Sequence, residues 1–227
     1  MKKIVALVPM KEHSERVPKK NMRDFCGKPL YHRVVEALLA SRYIKELYID
    51  TDSKQIKEDV QSHFEQIKII DRPENLRGDL VPMNDIIAYD LSQLKGEHFL
   101  QTHSTNPLLT TRIIDHAIET YFENLNRRDS LFSVTRLQTR LYWKDGKPIN
   151  HNPQELIRTQ DLPSVYEENS NLYIFSKVTF QKNKRRIGET PYLFEMDKIE
   201  AIDIDEEADF IMAEALYLIK HLKEKKL

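Results

Sequence analysis

The sequence predicts one α/β domain built on a doubly wound, mainly parallel sheet. Three observations lead there. Ile4 to Val8 is a continuous apolar run ended by Pro9, the pattern of a strand buried on both faces. Behind it, short apolar runs alternate with stretches that carry apolar residues at helical spacing. The 227 residues, 40% of them hydrophobic, suffice for one substantial core. No Gly/Ser/Pro-rich linker, low-complexity tract or solenoid-length repeat divides them, so residues 1–227 are read as a single domain.

The elements follow in order. After the first strand comes a polar segment, Met10 to Gly27, and Pro29 then opens an amphipathic helix from Leu30 to Ser41. Val34, Val35, Leu38 and Leu39 share its apolar side. Glu46 to Asp50 is the second strand, and Ser53 caps a helix reaching about His63. Ile67 to Ile70 is the third strand, closed by Asp71-Arg72-Pro73. Asn84 to Leu94 reads as a helix, His98 to Thr102 as a strand, Thr111 to Leu125 as a helix, and Ser130 to Val134 as a strand. Crossovers between parallel neighbours should be right-handed. From Arg136 to Asn169 the alternation stops. Gly146, Pro148, Pro153, Pro163 and scattered aromatics predict an excursion from the sheet, either a lid or a dimer arm. Asn171 to Phe175 and Ala201 to Ile204 are read as returning strands, and Glu206 to Lys225 as a closing amphipathic helix.

Composition removes several classes of function. Lys plus Arg number 35 against 36 Asp plus Glu, a net charge of -1. A duplex nucleic-acid binder carries a basic excess, so no nucleic-acid partner is expected. Cys26 is the single cysteine, which excludes an intramolecular disulfide and a Cys-rich zinc site. Pro9, Lys11 and Glu12 end the first apolar run too early for a signal peptide, and no run is long enough to span a bilayer. The expectation is a cytoplasmic protein with no membrane partner.

Three segments carry groups suited to chemistry. Ligands of open α/β sheets bind beyond the carboxyl ends of the strands, and the segment from Pro9 to Asn21 leaves the first one. It holds Lys11, Ser14, Arg16, Lys19, Lys20 and Asn21, charges and donors that suit a polyphosphate. It has neither G-x-G-x-x-G nor a Walker A pattern, so side chains would do much of the phosphate binding. The alternative is a solvated basic loop. Second, Ile202-Asp203-Ile204-Asp205 places two carboxylates on one face of an extended chain. Oxygen-only ligands point to magnesium or manganese. Asp205 also reads as a helix N-cap, and the two roles are compatible. Third, Gln101-Thr102-His103-Ser104-Thr105-Asn106-Pro107 gathers neutral hydrogen-bonding groups at a strand end, where a sugar could sit. Thr51-Asp52-Ser53 reads as a turn and helix cap.

These segments, in this order, resemble the acylneuraminate cytidylyltransferase family, the CMP-sialic acid synthetase type, over nearly the whole chain. The first loop, ending Lys20-Asn21 before Gly27-Lys28-Pro29-Leu30, is similar to the family's P-A-R-x-G-S-K…K-N segment. Ile49 to Ser53 resembles its S-T-D-S turn, Arg72 to Leu76 with Asp79 its R-P-x-x-L…D, and Thr105 to Leu108 its T-S-P-L. Asn169 to Tyr173 stands for N-G-A-I-Y, and Ile202 to Asp209 for I-D-I-D-x-x-x-D. The resemblance implies a Rossmann-like sheet of the nucleotide-diphospho-sugar transferase type, with an excursion for dimerisation and a homodimeric assembly. It implies a magnesium-dependent cytidylyltransferase using CTP and a small acidic acceptor, of the sialic acid or Kdo type.

By that likeness Lys11, Ser14, Arg16 and Lys20 contact the triphosphate, Asn21 and Arg72 select cytosine, and Asp79 belongs to the nucleotide site. Asp203 and Asp205 hold the metal, and with Lys20 form the catalytic set. Gln101, His103, Thr105, Asn106, Glu167, Asn169 and Tyr173 form the acceptor site. There are departures. Lys11 stands for an arginine, His13 for a glycine, Glu15 for a lysine, His103 for a glutamine, Glu167 for an arginine and Ser170 for a glycine. An anion at position 167 removes a partner for an acceptor carboxylate, which Arg158 or Arg140 would have to replace. A phosphonate or phosphate ester as acceptor therefore stays open. So do a nucleotide-sugar glycosyltransferase and a non-catalytic binding subunit.

Overall fold

The structure, a computed structural model, describes residues 3–224. Lys225, where the sequence places the end of the last helix, lies outside the described residues, as do the first two residues of the predicted domain. Strands are β1 Ile4–Met10, β2 Asp24–Phe25, β3 Lys28–Pro29, β4 Ile44–Thr51, β5 Ile67–Asp71, β6 His98–Thr102, β7 Ser130–Leu137, β8 Val165–Ser176 and β9 Pro191–Glu195. Helices are α1 Leu30–Leu39, α2 Lys54–His63, α3 Met83–Gln93, α4 Thr111–Asn124, α5 Lys177–Asn183 and α6 Glu207–Glu224. Among the described residues no helix is long and apolar enough to cross a membrane.

Seven strands form one sheet in the order β5-β4-β1-β6-β8-β7-β9. All ladders are parallel except those of β8, which runs antiparallel to β6 and β7. The fold is thus the mixed α/β, mainly parallel sheet that the sequence predicts. All seven residues of β1 are buried, as the unbroken apolar run requires of a strand covered on both faces. Period two sends Ile4, Ala6, Val8 and Met10 into a core with α1, α2 and α4. Val5 and Leu7 point the other way, toward Ile87 and Leu91 of α3 and Phe180 of α5. That division of helices between two faces is the double winding.

A third cluster lies off the sheet: Val17, Phe25, Leu30, Ile204, Phe210 and Ala213. β2 and β3 form a hairpin whose turn residues, Cys26 and Gly27, both have positive φ (53° and 89°), as a two-residue type I′ turn demands. Phe25 packs edge-on against Phe210 and Tyr217 of α6, and Arg23 forks onto Glu207 at 2.6 and 2.7 Å. The hairpin therefore pins the start of the last helix to the N-terminal loop.

Some sequence expectations need correction. Ala201 to Ile204 is not a sheet strand. Its polar backbone is satisfied individually instead: Ile204 N–H donates to Thr105 O at 2.9 Å, and Asn171 Nδ2 donates to Ala201 O at 2.9 Å. The excursion is shorter than Arg136 to Asn169, because β7 runs on to Leu137 and β8 starts at Val165, pairing with each other there. α5 and β9 were not predicted. Seven residues are too few to show a helical period, and β9 buries only Phe194 fully.

Candidate active site

The site lies at the carboxyl ends of β1 and β6, where the strand order turns from one side of β1 to the other. Two clefts open there. The first, about 500 Å³, is lined by Lys11, Ser14, Arg16, Lys20, Asn21, Arg72, Asp79, His103, Thr105, Asp203 and Asp205 among others. The second, about 470 Å³, is lined by Glu167, Glu168, Asn169, Thr135 and Lys198. Ser170, Asp203 and Asp205 line both. Those three residues are the shared wall.

Burial of two aliphatic side chains brings the distant segments together. Val17, within the basic loop, and Ile204, between the two aspartates, have no exposed surface and belong to the same small cluster. An extended chain alternates its side chains, so burying Ile204 turns Asp203 and Asp205 outward together. The result is dense in charge. Arg16 Nη2 lies 2.6 Å from Asp205 Oδ1, and Lys20 Nζ donates to Ile204 O while standing 3.9 Å from Asp205 Oδ1. Lys11 pairs with Asp79 across the first cleft. Asn21 spans two elements, donating to Lys11 O at 3.2 Å and accepting from Ser104 Oγ at 2.7 Å.

Asp205 does not cap α6 with its side chain. The Asp209 carboxylate accepts from the backbone N–H of Asp205 (3.0 Å) and Glu206 (2.8 Å), leaving the Asp205 carboxylate to Arg16. Ser53 does cap α2, accepting from Ile56 N–H, while Asp52 accepts from Glu12 N–H at 2.9 Å and braces the basic loop.

Three residues expected at the acceptor stand behind the cleft surface. Gln101 and Asn106 are fully buried and Tyr173 nearly so, and none lines either cleft. Asn106 Nδ2 donates to Ile202 O at 3.4 Å, supporting the aspartate segment from below. Arg158 and Arg140 do not replace the missing cation. Arg158 pairs with Asp161 at 2.7 Å, Arg140 donates to Ile157 O, and neither lines a cleft. Ser170, in place of the family's glycine, takes a left-handed conformation with φ of 57°.

The cytidylyltransferase family profile matches residues 5–227. The chain belongs to the cytidylyltransferase family. It is 26% identical to an N-acylneuraminate cytidylyltransferase of Streptococcus agalactiae serotype V, covering 97% of this chain but 53% of that protein. It therefore spans about half the length of that relative. It is 24% identical to a pseudaminic acid cytidylyltransferase of Campylobacter jejuni, covering 96% and 98% of the two chains. A CMP:2-keto-3-deoxy-manno-octonic acid synthetase structure, complexed with CTP, shares the fold with a TM-score of 0.72 at 13% identity, covering 96% and 99% of the two chains.

The electrostatics of the wall follow from burial. Desolvation lowers the Lys20 pKa, against the pull of Asp203 and Asp205. Burial raises that of Asp203, although Thr105 hydrogen-bonds it. One Asp203 carboxylate oxygen, Oδ1, is buried with no hydrogen-bond partner among the described residues. An orphaned oxygen beside a second carboxylate is a donor set that fits a hard divalent cation. Another trio, His32, Asp59 and His63, brings ligand atoms within 4.8 Å of one another. It lies outside both clefts, and hydrogen bonds already join α1 to α2 there: His32 Nε2 is 2.6 Å from Asp59 Oδ2, which also accepts from Tyr31.

Two groups escaped the reading of the sequence. Arg72 is buried in an ion pair with Asp50, and Asp90 of α3 stands against that pair. The signal for Asp90 was present, since it falls on the apolar stripe of Ile86, Ile87 and Leu91. Arg186 stacks on the Tyr173 ring, 3.9 Å from its centroid, and donates to Gln101 Oε1. Within Lys182-Asn183-Lys184-Arg185-Arg186 no sequence feature distinguishes it.

Proposed function

We propose that this chain transfers CMP from CTP to a hydroxyl of an acidic sugar, a nonulosonic acid of the sialic acid type or a Kdo-like sugar, releasing pyrophosphate. One observation carries this reading: the two clefts share Ser170, Asp203 and Asp205, so a nucleotide in one and an acceptor in the other would meet at two carboxylates. The relatives, an N-acylneuraminate and a pseudaminic acid cytidylyltransferase, support the class of acceptor.

The acceptor oxygen would attack the α-phosphorus in line. A new P–O bond forms, the bond to the bridging oxygen of the β-phosphate breaks, and pyrophosphate leaves. Lys11 and Arg16 exchange their present partners, Asp79 and Asp205, for phosphate oxygens and neutralise the departing charge. Lys20, held by the Ile204 carbonyl, is already fixed beside the reacting centre. Asn21, braced by Ser104, and Arg72, braced by Asp50, present rigid donors to the base. Asp203 and Asp205 would hold a magnesium or manganese ion, which supplies Lewis-acid polarisation of the phosphate and of the attacking hydroxyl. The hydroxyl proton leaves toward Asp205, the more exposed carboxylate of the two.

The active form in this proposal is a homodimer joined through the excursion between β7 and β8, which exposes Trp143 (63%) and Leu156 (92%). The decisive assay measures pyrophosphate release from CTP and magnesium against nonulosonic acids, Kdo-type sugars and phosphonates. Release with an acid but no phosphonate is expected. Release with a phosphonate alone moves the acceptor class, and a free nucleoside diphosphate from a nucleotide-sugar points to glycosyl transfer.

A further inference from the structure

Resting on that reading, we propose that Arg186 is the cation that binds the carboxylate of the acceptor. The acceptor cleft poses a charge problem. Glu167, Glu168, Asp203, Asp205 and Asp209 line it, with Lys198 as its cation. A divalent ion at Asp203 and Asp205 leaves Lys198 alone in that lining against Glu167 and Glu168, which would repel an acceptor carboxylate.

Arg186 is the opposite case. Its guanidinium is partly buried and, among the described residues, has no carboxylate within ion-pair distance. Its neighbours are the Tyr173 ring, the Gln101 side-chain oxygen and, through its backbone N–H, Asn84 Oδ1 at 3.4 Å. Of the charged groups facing it, Glu168 is the acid, and that carboxylate accepts the Tyr173 hydroxyl. A desolvated guanidinium held by a neutral amide and an aromatic face is unusual, because buried charges are normally paired. It is a cation awaiting an anion.

Arg186 lines neither cleft itself, but its partners tie it to the wall between them. Gln101 and Tyr173 are direct partners in the β6–β8 ladder. Two residues beyond Gln101, His103 lines the first cleft, with its ring 6.4 Å from that of Tyr173. The Tyr173 hydroxyl lies 3.4 Å from Ser170 Oγ, on the shared wall. Burial, then the charges of Arg186 and Lys20, push the His103 imidazole down to about 4, so it enters the site neutral and does not compete for the anion. The cations proposed for the phosphates, Lys11, Arg16 and Lys20, belong to the N-terminal loop instead. Arg186 therefore serves the acceptor, and its planar fork suits a carboxylate.

The test compares wild type, R186Q and R186K with each acid of the panel and with its carboxamide, measuring KM for acceptor and for CTP separately. In R186Q the acceptor KM should rise about 10- to 100-fold with CTP KM unchanged, and the preference for acid over amide should vanish. R186K should recover part of it. An undiminished preference in R186Q, or a rise confined to CTP KM, overturns the assignment. Calorimetric titration of the same acids into wild type and R186Q, without CTP, reads the contact independently of turnover. Acid binding that survives in R186Q also overturns it. Acid binding that depends on Arg186 in a protein that releases no pyrophosphate supports the contact and sinks only cytidylyl transfer. If wild type binds no acid, the assignment of Arg186 fails, while pyrophosphate release decides cytidylyl transfer separately.

Discussion

Asp90 has no exposed surface, and among the described residues neither of its carboxyl oxygens has an N–H donor. Burial, then the neighbouring Asp50 carboxylate, push its pKa up to about 9, so the two acids share one proton while Asp50 holds Arg72. The sign of the pH effect follows. Between an unfolded value of about 4 and about 9, the native state keeps a proton that the unfolded chain releases. The Asp90 contribution to wild-type stability therefore falls as pH rises through that window, by about 1.4 kcal/mol per pH unit. D90N mimics the acid form and lacks this dependence. Its stability relative to wild type should grow from about pH 5 to about pH 8 in urea denaturation; a constant difference would place the proton elsewhere. Asp203 is the second residue on which much depends. D203N removes the carboxylate with the orphaned oxygen, and should cut magnesium-dependent pyrophosphate release by at least roughly 100-fold while the fold survives. Full activity would remove Asp203 from the reaction.

The smallest cluster joins the elements that matter most. The basic loop, β2, the starts of α1 and α6 and the Asp203 to Asp205 segment are held together by six apolar side chains. Ile204→Ala should cost about 2–5 kcal/mol, as other buried aliphatic truncations do. Its effect on CTP affinity should exceed that of an equal loss of stability elsewhere, because both aspartates and the Lys20 anchor hang on that residue. Comparison with Ile114→Ala, buried in the main core, makes the distinction: equal CTP affinity in the two variants would separate the cluster from the site. Elements with long apolar periods, such as α1 and α4, were legible in the sequence because their burial repeats along the chain. α5 and β9 were not. Their places depend on tertiary contacts, for instance Asp129, whose carboxylate accepts backbone N–H groups of Glu189 (2.7 Å) and Thr190 (3.2 Å) and so guides the chain into β9.

At the scale of the molecule, the excursion is one of the apolar surfaces that the monomer leaves exposed. The excursion between β7 and β8 carries Tyr142 (54% exposed), Trp143 and Leu156, stiffened by Asn150, which hydrogen-bonds Leu141 N–H, Thr139 O and Pro163 O. If this arm joins two protomers, wild type should run as a dimer by light scattering, and the double variant W143E/L156E as a folded monomer. A monomeric wild type would remove the dimer arm from the proposal. The polar excursion was visible in the sequence from its prolines, but not its internal order, which rests on one asparagine reaching three segments.

Local pattern alone determined the layered fold, the basic loop after β1 and the paired aspartates, because apolar period and residue chemistry are properties of neighbours in the chain. Which face Asp203 and Asp205 present, that Gln101 and Tyr173 lie behind the wall, and that Arg186 sits with them, with no carboxylate of the described residues in ion-pair range, were decided only in three dimensions. Desolvation and pairing are sums over residues far apart in sequence, here Val17 against Ile204 and Gln101 against Arg186. No local period encodes them.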